Sequence, residues 1–150
     1  MEALARPALF VVCAAALLAC DPTATTGGRA VYPDAEAYAA APVFEGSWRG
    51  RISDWEGELL VGELSARKYF GNFSSSVGNK EIAVLFEQSV AVNANGASLP
   101  SNRLVFTWQD GQGQRGKGWV KIDEAGRRLE GSAGFNESIE GQRWSFERSN

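Results

Sequence analysis

The strict alternation of apolar and polar residues along positions 43–150 most constrains what this chain can fold into. In residues 44–53, Phe44, Trp48 and Ile52 fall on one face together with two glycines, while charged and hydroxyl residues fall on the other. A period of two is typical of a β-strand that buries one face. The same alternation places four more groups of residues on common faces: Ile82, Val84 and Phe86; Leu104, Phe106 and Trp108; Leu129, Gly131, Ala133 and Phe135; and Trp144 and Phe146.

Less regular strands fit residues 57–65, 67–74 and 116–123, which brings the expected number of strands to about eight. Short antiparallel strands in an open sheet leave unpaired edges, whereas closure into a barrel removes them. We therefore expect an all-β fold, a single antiparallel up-and-down β-barrel; a two-sheet β-sandwich has the same pattern and is the alternative. Gly46, Gly50 and Gly131 on the inward face suit sharp coiling or close packing beneath large side chains.

The residues GSW at positions 46–48, the eight-strand meander and a basic residue on the last strand resemble the calycin superfamily of lipocalins and avidins. The resemblance implies that a first-strand tryptophan packs against a basic residue of the final strand at one barrel end. We expect Trp48 to pack against Arg148, or alternatively Arg143. Residues 49–51 lack the polar side chains that the avidin pocket places after this tryptophan, so biotin binding is not expected.

Residues 8–19 are almost all apolar and follow Arg6. Twelve residues are too few to span a bilayer, which needs about 20, and they match the apolar region of a signal peptide. The sequence LLAC at positions 17–20 resembles the lipobox of bacterial lipoproteins, which implies cleavage before Cys20 and a diacylglycerol on its thiol. This would attach the mature protein to a membrane of the bacterial cell envelope, with inner and outer membrane both left open. A plain signal peptide or an uncleaved anchor is the alternative.

The expected organisation is a signal peptide at 1–19, a flexible tether at 20–42 and the barrel at 43–150. The tether is predicted from its alanine, threonine, proline and glycine content. Residues 34–41 could form one or two helical turns, and we expect Tyr38 within them to be solvent-exposed, the alternative being that it pins the segment to the barrel.

Composition excludes several classes of function. The chain has no histidine, so a Ser-His-Asp triad, a Cys-His pair and a histidine-ligated metal cannot form. Its net charge of −3 gives no reason to expect nucleic-acid binding. Asp54, Glu56, Glu58 and Glu63 cluster after the first strand, and Glu137 and Glu140 share an expected loop; neighbouring carboxylates in turns usually face water. We therefore expect no catalytic residue, no metal and no cofactor.

Four residues are candidates for contact with a ligand or partner. The sequence GQGQRGKG at 111–118 has phosphate-loop spacing but precedes a strand, so we interpret it as a hairpin loop in which Arg115 and Lys117 could contact an anionic partner. Trp55 lies in an expected turn and Trp119 has polar neighbours, so both could make exposed contacts. The other three tryptophans, Trp48, Trp108 and Trp144, are expected in the core.

The sequence does not reveal a specific activity. We expect a lipid-anchored, non-enzymatic binding module for a small apolar ligand or an envelope protein. The alternative is an inhibitor of an envelope or extracellular hydrolase. An open interior would favour a ligand, whereas an interior filled by aromatic side chains would favour a partner bound through the loops.

Overall fold

The computed structural model describes residues 30–150. The signal peptide expected at 1–19, Cys20 with its expected lipid, and residues 21–29 of the expected tether lie outside the described residues.

Eight antiparallel strands form a closed barrel in which each strand pairs with its neighbours in sequence and β1 also pairs with β8. The predicted up-and-down barrel is therefore confirmed, and the two-sheet sandwich is wrong. This architecture is compatible with a calycin-like fold. The strands are β1 (Gly46–Ile52), β2 (Trp55–Ser65), β3 (Lys68–Ser75), β4 (Glu81–Val92), β5 (Ser98–Asp110), β6 (Arg115–Ile122), β7 (Arg128–Phe135) and β8 (Gln142–Arg148).

The two ends of the barrel differ in what they hold. The chain enters β1 and leaves β8 at one end, here called the entry end, which also holds the β2–β3, β4–β5 and β6–β7 turns. The opposite end, here called the far end, holds the other four turns. Both chain ends of the barrel thus converge at the entry end.

The interior is filled by the apolar face of every strand, because alternate residues point inward. Phe106 and Trp144 lie with ring centroids 4.4 Å apart, and Phe86 and Phe146 extend this stack on either side. Trp48, Trp108 and Trp144 are buried as predicted. Their size fills the space that a hollow barrel would leave for a ligand.

Two of the inward glycines occupy positions where neighbouring strands approach closely. A Cβ at Gly50 would lie 2.0 Å from the Ser145 carbonyl oxygen, and one at Gly131 would lie 1.8 Å from that of Trp119. Neither distance can accommodate a side chain, so these glycines permit the tight coiling that closes the barrel.

Phe135 was expected inside with its neighbours on β7, but it is 47% exposed. Its register opposite Gly116 keeps it on the inward face, and its ring contacts Trp108 at 5.5 Å between centroids. It is exposed because β7 ends there, at the far-end rim.

Trp48 and Arg148 meet at the entry end as the calycin resemblance implied. The two residues are register partners, and the Arg148 guanidinium carbon lies 4.2 Å from the centre of the Trp48 ring. Arg148 also donates hydrogen bonds to the carbonyls of Gly126, Glu45 and Val43. Burial lowers the pKa of its guanidinium below the ordinary value. Arg143 instead lies outside, where its side chain is 77% exposed.

Residues 30–45 run along the barrel, and the helix expected at 34–41 does not form. The backbone of Glu36 exchanges hydrogen bonds with Asn102 on β5, and Arg103 donates to the carbonyl of Pro33. The Tyr38 hydroxyl donates to the carbonyl of Ile122, so the expectation that Tyr38 is exposed is wrong. Bonds to the barrel replace the bonds within a short helix, which is marginal on its own.

Candidate functional site

A groove with a volume of about 770 Å³ lies on the outer surface of β3 to β6. Two of the four sequence-predicted contact residues, Arg115 and Lys117, line one side of it. The opposite side is lined by Phe70 and Leu85, which sequence reasoning did not select. Their signal was present in the sequence: the strand register that turns Ile82, Val84 and Phe86 inward leaves Leu85 as an apolar residue on the polar face.

The groove is concave because a small side chain forms the centre of its floor and the aromatic ring on one wall leans away from that centre. Ala83 lies opposite Asn72 on β3 and Gln109 on β5, where its methyl group leaves the centre of the floor low. The ring of Phe70 lies over Gly62 of β2, where an added Cβ would come within 2.6 Å of the ring. The missing side chain at Gly62 thus lets Phe70 lean toward β2 and leaves the groove open.

An exposed apolar surface continues from the groove onto β2. Phe70 and Leu85 are register partners, with exposed fractions of 45% and 60%. Leu60 and Leu64 flank Gly62 on the same outward face and are also exposed. Four large apolar side chains exposed on three adjacent strands form a patch of the kind that marks binding surfaces.

The cationic side of the groove is built from alternate residues of β6. Lys117 Nζ lies 2.6 Å from Glu137 Oε2, and this bond raises the pKa of the lysine, which therefore keeps its charge at neutral pH. Arg115 is exposed and forms no ion pair within residues 30–150. The charged groups lining the groove, two cations and one carboxylate, leave a net positive charge.

Trp55 lies apart from the groove, at the far-end rim. Lys80 Nζ is 4.2 Å from the centre of the Trp55 ring and 2.9 Å from Asp110 Oδ2. Asp110 also accepts hydrogen bonds from the backbone N–H groups of Gln112 and Gln114. The bond from Lys80, followed by these backbone bonds, lowers the pKa of Asp110 below its ordinary value. Lys80 thereby ties the β1–β2, β3–β4 and β5–β6 turns into one rim.

Trp119 is half-buried on the outer face of β6 and lines a second, smaller pocket of about 480 Å³ beside Tyr38 and Asn102. It is two residues beyond Lys117, but it does not line the groove. The structure therefore separates the four candidate residues into three places: the groove for Arg115 and Lys117, the rim for Trp55, and this pocket for Trp119.

Within residues 30–150, the acidic residues show no arrangement for holding a metal. No group of three or more carboxylate, cysteine or histidine side chains that could bind an ion occurs within the described part of the chain. Glu56 and Glu58 lie opposite Arg51 and Arg49 across the β1–β2 ladder, on the outward face. Inside the barrel, Trp144 Nε1 is buried with no hydrogen-bond partner among the described residues.

Comparisons with protein-family models, curated protein sequences and solved structures find no match to this chain. No helix in residues 30–150 has the length and apolar composition to cross a membrane.

Proposed function

We propose that this protein is a lipid-anchored binding module of the bacterial cell envelope, without catalytic activity, and that it binds a small apolar ligand in the outer groove. The filled interior argues against a ligand inside the barrel, and on interior volume alone it would favour a partner at the loops. The observation that carries the proposal is that the free volume lies in a groove on the outer surface instead. The barrel interior is packed with buried aromatic residues, while a groove of about 770 Å³ with one apolar side, at Phe70 and Leu85, lies outside. Ligand sites of about 300 to 1,000 Å³ are typical of small molecules.

The proposal also places the barrel among the calycins and the whole chain among the bacterial lipoproteins. The closed eight-stranded barrel and the contact between Trp48 and Arg148 support placing the domain among the calycins. The LLAC sequence at 17–20, directly after an apolar segment, supports a lipoprotein address. No cofactor is part of this function.

Native mass spectrometry of the full chain, released from its host envelope in mild detergent, tests the binding function. We expect a bound small molecule on the wild type and its loss from Leu85→Glu, which places a charge on the groove wall. Val92→Glu, on the same strand but outside the groove, is the matched control because Val92 is also exposed. A ligand retained by Leu85→Glu, or no ligand on the wild type, would contradict the proposal.

The anchor is tested separately by metabolic labelling with radioactive palmitate. Wild type should incorporate the label, and Cys20→Ser should not, because its hydroxyl cannot form the lipid thioether. Cys13→Ser should label like the wild type, since Cys13 lies within the apolar segment that cleavage removes. Label on the Cys20→Ser protein would refute lipidation at this residue.

The inhibitor hypothesis is the second candidate, and the far-end rim favours it. Inhibitors gain affinity from loops that are already ordered, because binding then costs less conformational entropy. The ion pair of Lys80 with Asp110 and its cation–π contact with Trp55 hold three turns in an ordered arrangement. Asp110→Asn would weaken capture of a hydrolase at the rim and leave occupancy of the groove unchanged, which separates the two candidates.

A further inference from the structure

We infer that the occupant of the groove is an anionic amphiphile, a free long-chain carboxylate whose head group binds at Arg115 and Lys117 and whose tail lies along Leu85 and Phe70. This inference rests on the proposed binding function and adds the charge and shape of the ligand. It concerns the outer surface, not the barrel interior.

The head-group end is defined by two adjacent outward residues of β6. Arg115 lies opposite Gln109 and Lys117 opposite Thr107, so both cations border the same part of the groove. Arg115 has its guanidinium donors free of any ion pair within the described chain, and the Lys117 ammonium gives only one of its three hydrogens to Glu137. A carboxylate is ionised at neutral pH and can accept from both cations in charge-assisted hydrogen bonds.

The tail has a path that leads away from these cations and is apolar from Leu85 onward. Thr107, Leu85 and Phe70 follow Lys117 strand by strand in the register, and Phe70 leads over Gly62 to the exposed leucines of β2. Neighbouring strands are about 4.8 Å apart, so the path from β6 to β2 is roughly 19 Å along the surface. The groove is therefore cationic at β6 and apolar at Leu85 and Phe70, with uncharged polar side chains such as Thr107 between them, which matches a single-chain amphiphile lying across the strands.

The charges of the groove argue against a ligand with a cationic head group. Glu137 is the only acidic residue lining the groove within residues 30–150, and it is already held by Lys117. A cationic head group would have to displace that lysine and would then lie beside Arg115. An uncharged ligand would leave the two cations without a role in affinity.

Photolabelling of the full chain in isolated host envelopes tests the inference. The probe is dodecanoate with a diazirine in its tail, and the comparison probe carries the same tail with a trimethylammonium head group. We expect the carboxylate probe to label peptides of β3 and β4 about tenfold more strongly than the cationic probe, since a charged hydrogen bond is worth roughly that factor. Leu85→Glu should remove the labelling, and Val92→Glu should not.

Arg115→Gln should lower labelling by the carboxylate probe about tenfold, whereas Arg143→Gln, an exposed arginine outside the groove, should leave it unchanged. Equal labelling by both probes, or no effect of Arg115→Gln, would overturn the inference. So would stronger labelling of the same peptides by a diazirine phosphatidylglycerol, because the occupant would then be the membrane surface.

If native mass spectrometry finds a ligand that depends on Leu85 but dodecanoate does not label, this inference fails and the proposed function stands. If neither method detects a ligand, both fail.

Discussion

Replacing Trp48 with alanine should lower the free energy of unfolding by about 3 to 5 kcal/mol. Trp48 is fully buried, its Nε1 donates to the Phe44 carbonyl at 2.9 Å, and Arg148 lies against its ring. Removing the indole leaves a cavity at the entry end and an unpaired carbonyl. Chemical denaturation followed by circular dichroism measures the loss.

Arg49→Ala is the matched control, because Arg49 is the next residue of β1 and points outward. Its effect should lie within about 0.5 kcal/mol of the wild type. Trp48→Phe should lose less than Trp48→Ala, since the smaller ring still fills part of the space, and this keeps the test informative if the alanine variant does not fold. Similar small losses for Trp48→Ala and Arg49→Ala would contradict the register of β1.

Replacing Arg148 with methionine should lower the free energy of unfolding by about 3 kcal/mol, because the guanidinium joins three backbone carbonyls from two separate parts of the chain. It bonds Gly126 in the β6–β7 turn and Glu45 and Val43 before β1, while its face lies against Trp48. Methionine retains much of the apolar stem but leaves those carbonyls without their donor. Thermal unfolding by differential scanning calorimetry should therefore show a lowered midpoint.

Arg143→Met on the same strand serves as the control. Arg143 forms only an exposed ion pair with Glu130, at 3.8 Å, and pairs of that kind contribute about 0 to 1 kcal/mol. Arg148→Met should therefore destabilise the barrel by a clear margin over Arg143→Met. If the two variants were equally stable, Arg148 would have no special role in closing the entry end.

Part of the candidate site could be predicted from the sequence. Arg115 and Lys117 follow a glycine-rich turn and alternate with buried glycines, so the period of two places both on the outer face. Leu85 was recognisable as an apolar residue on a polar face, although a single exposed leucine is common. Phe70 gave a weaker signal, because only the contact of its ring with Gly62 shows that it forms one wall of a groove.

The sequence by itself determined the class of fold and the approximate strands, because alternation with period two is a local property that sets which face of each strand is buried. The pairing of Trp48 with a basic residue of the last strand was implied by the resemblance to the calycins. Only the tertiary structure decided that the barrel interior is filled and that the free volume lies in a groove outside it. Whether large inward side chains fill a barrel depends on strand coiling and on close approaches such as those at Gly50 and Gly131, which join residues far apart in the chain. The same applies to Tyr38, whose hydroxyl finds the Ile122 carbonyl 84 positions away. The outer groove likewise exists only because the pairing of β3 to β6 brings Phe70, Leu85 and Lys117, which are far apart in the chain, side by side.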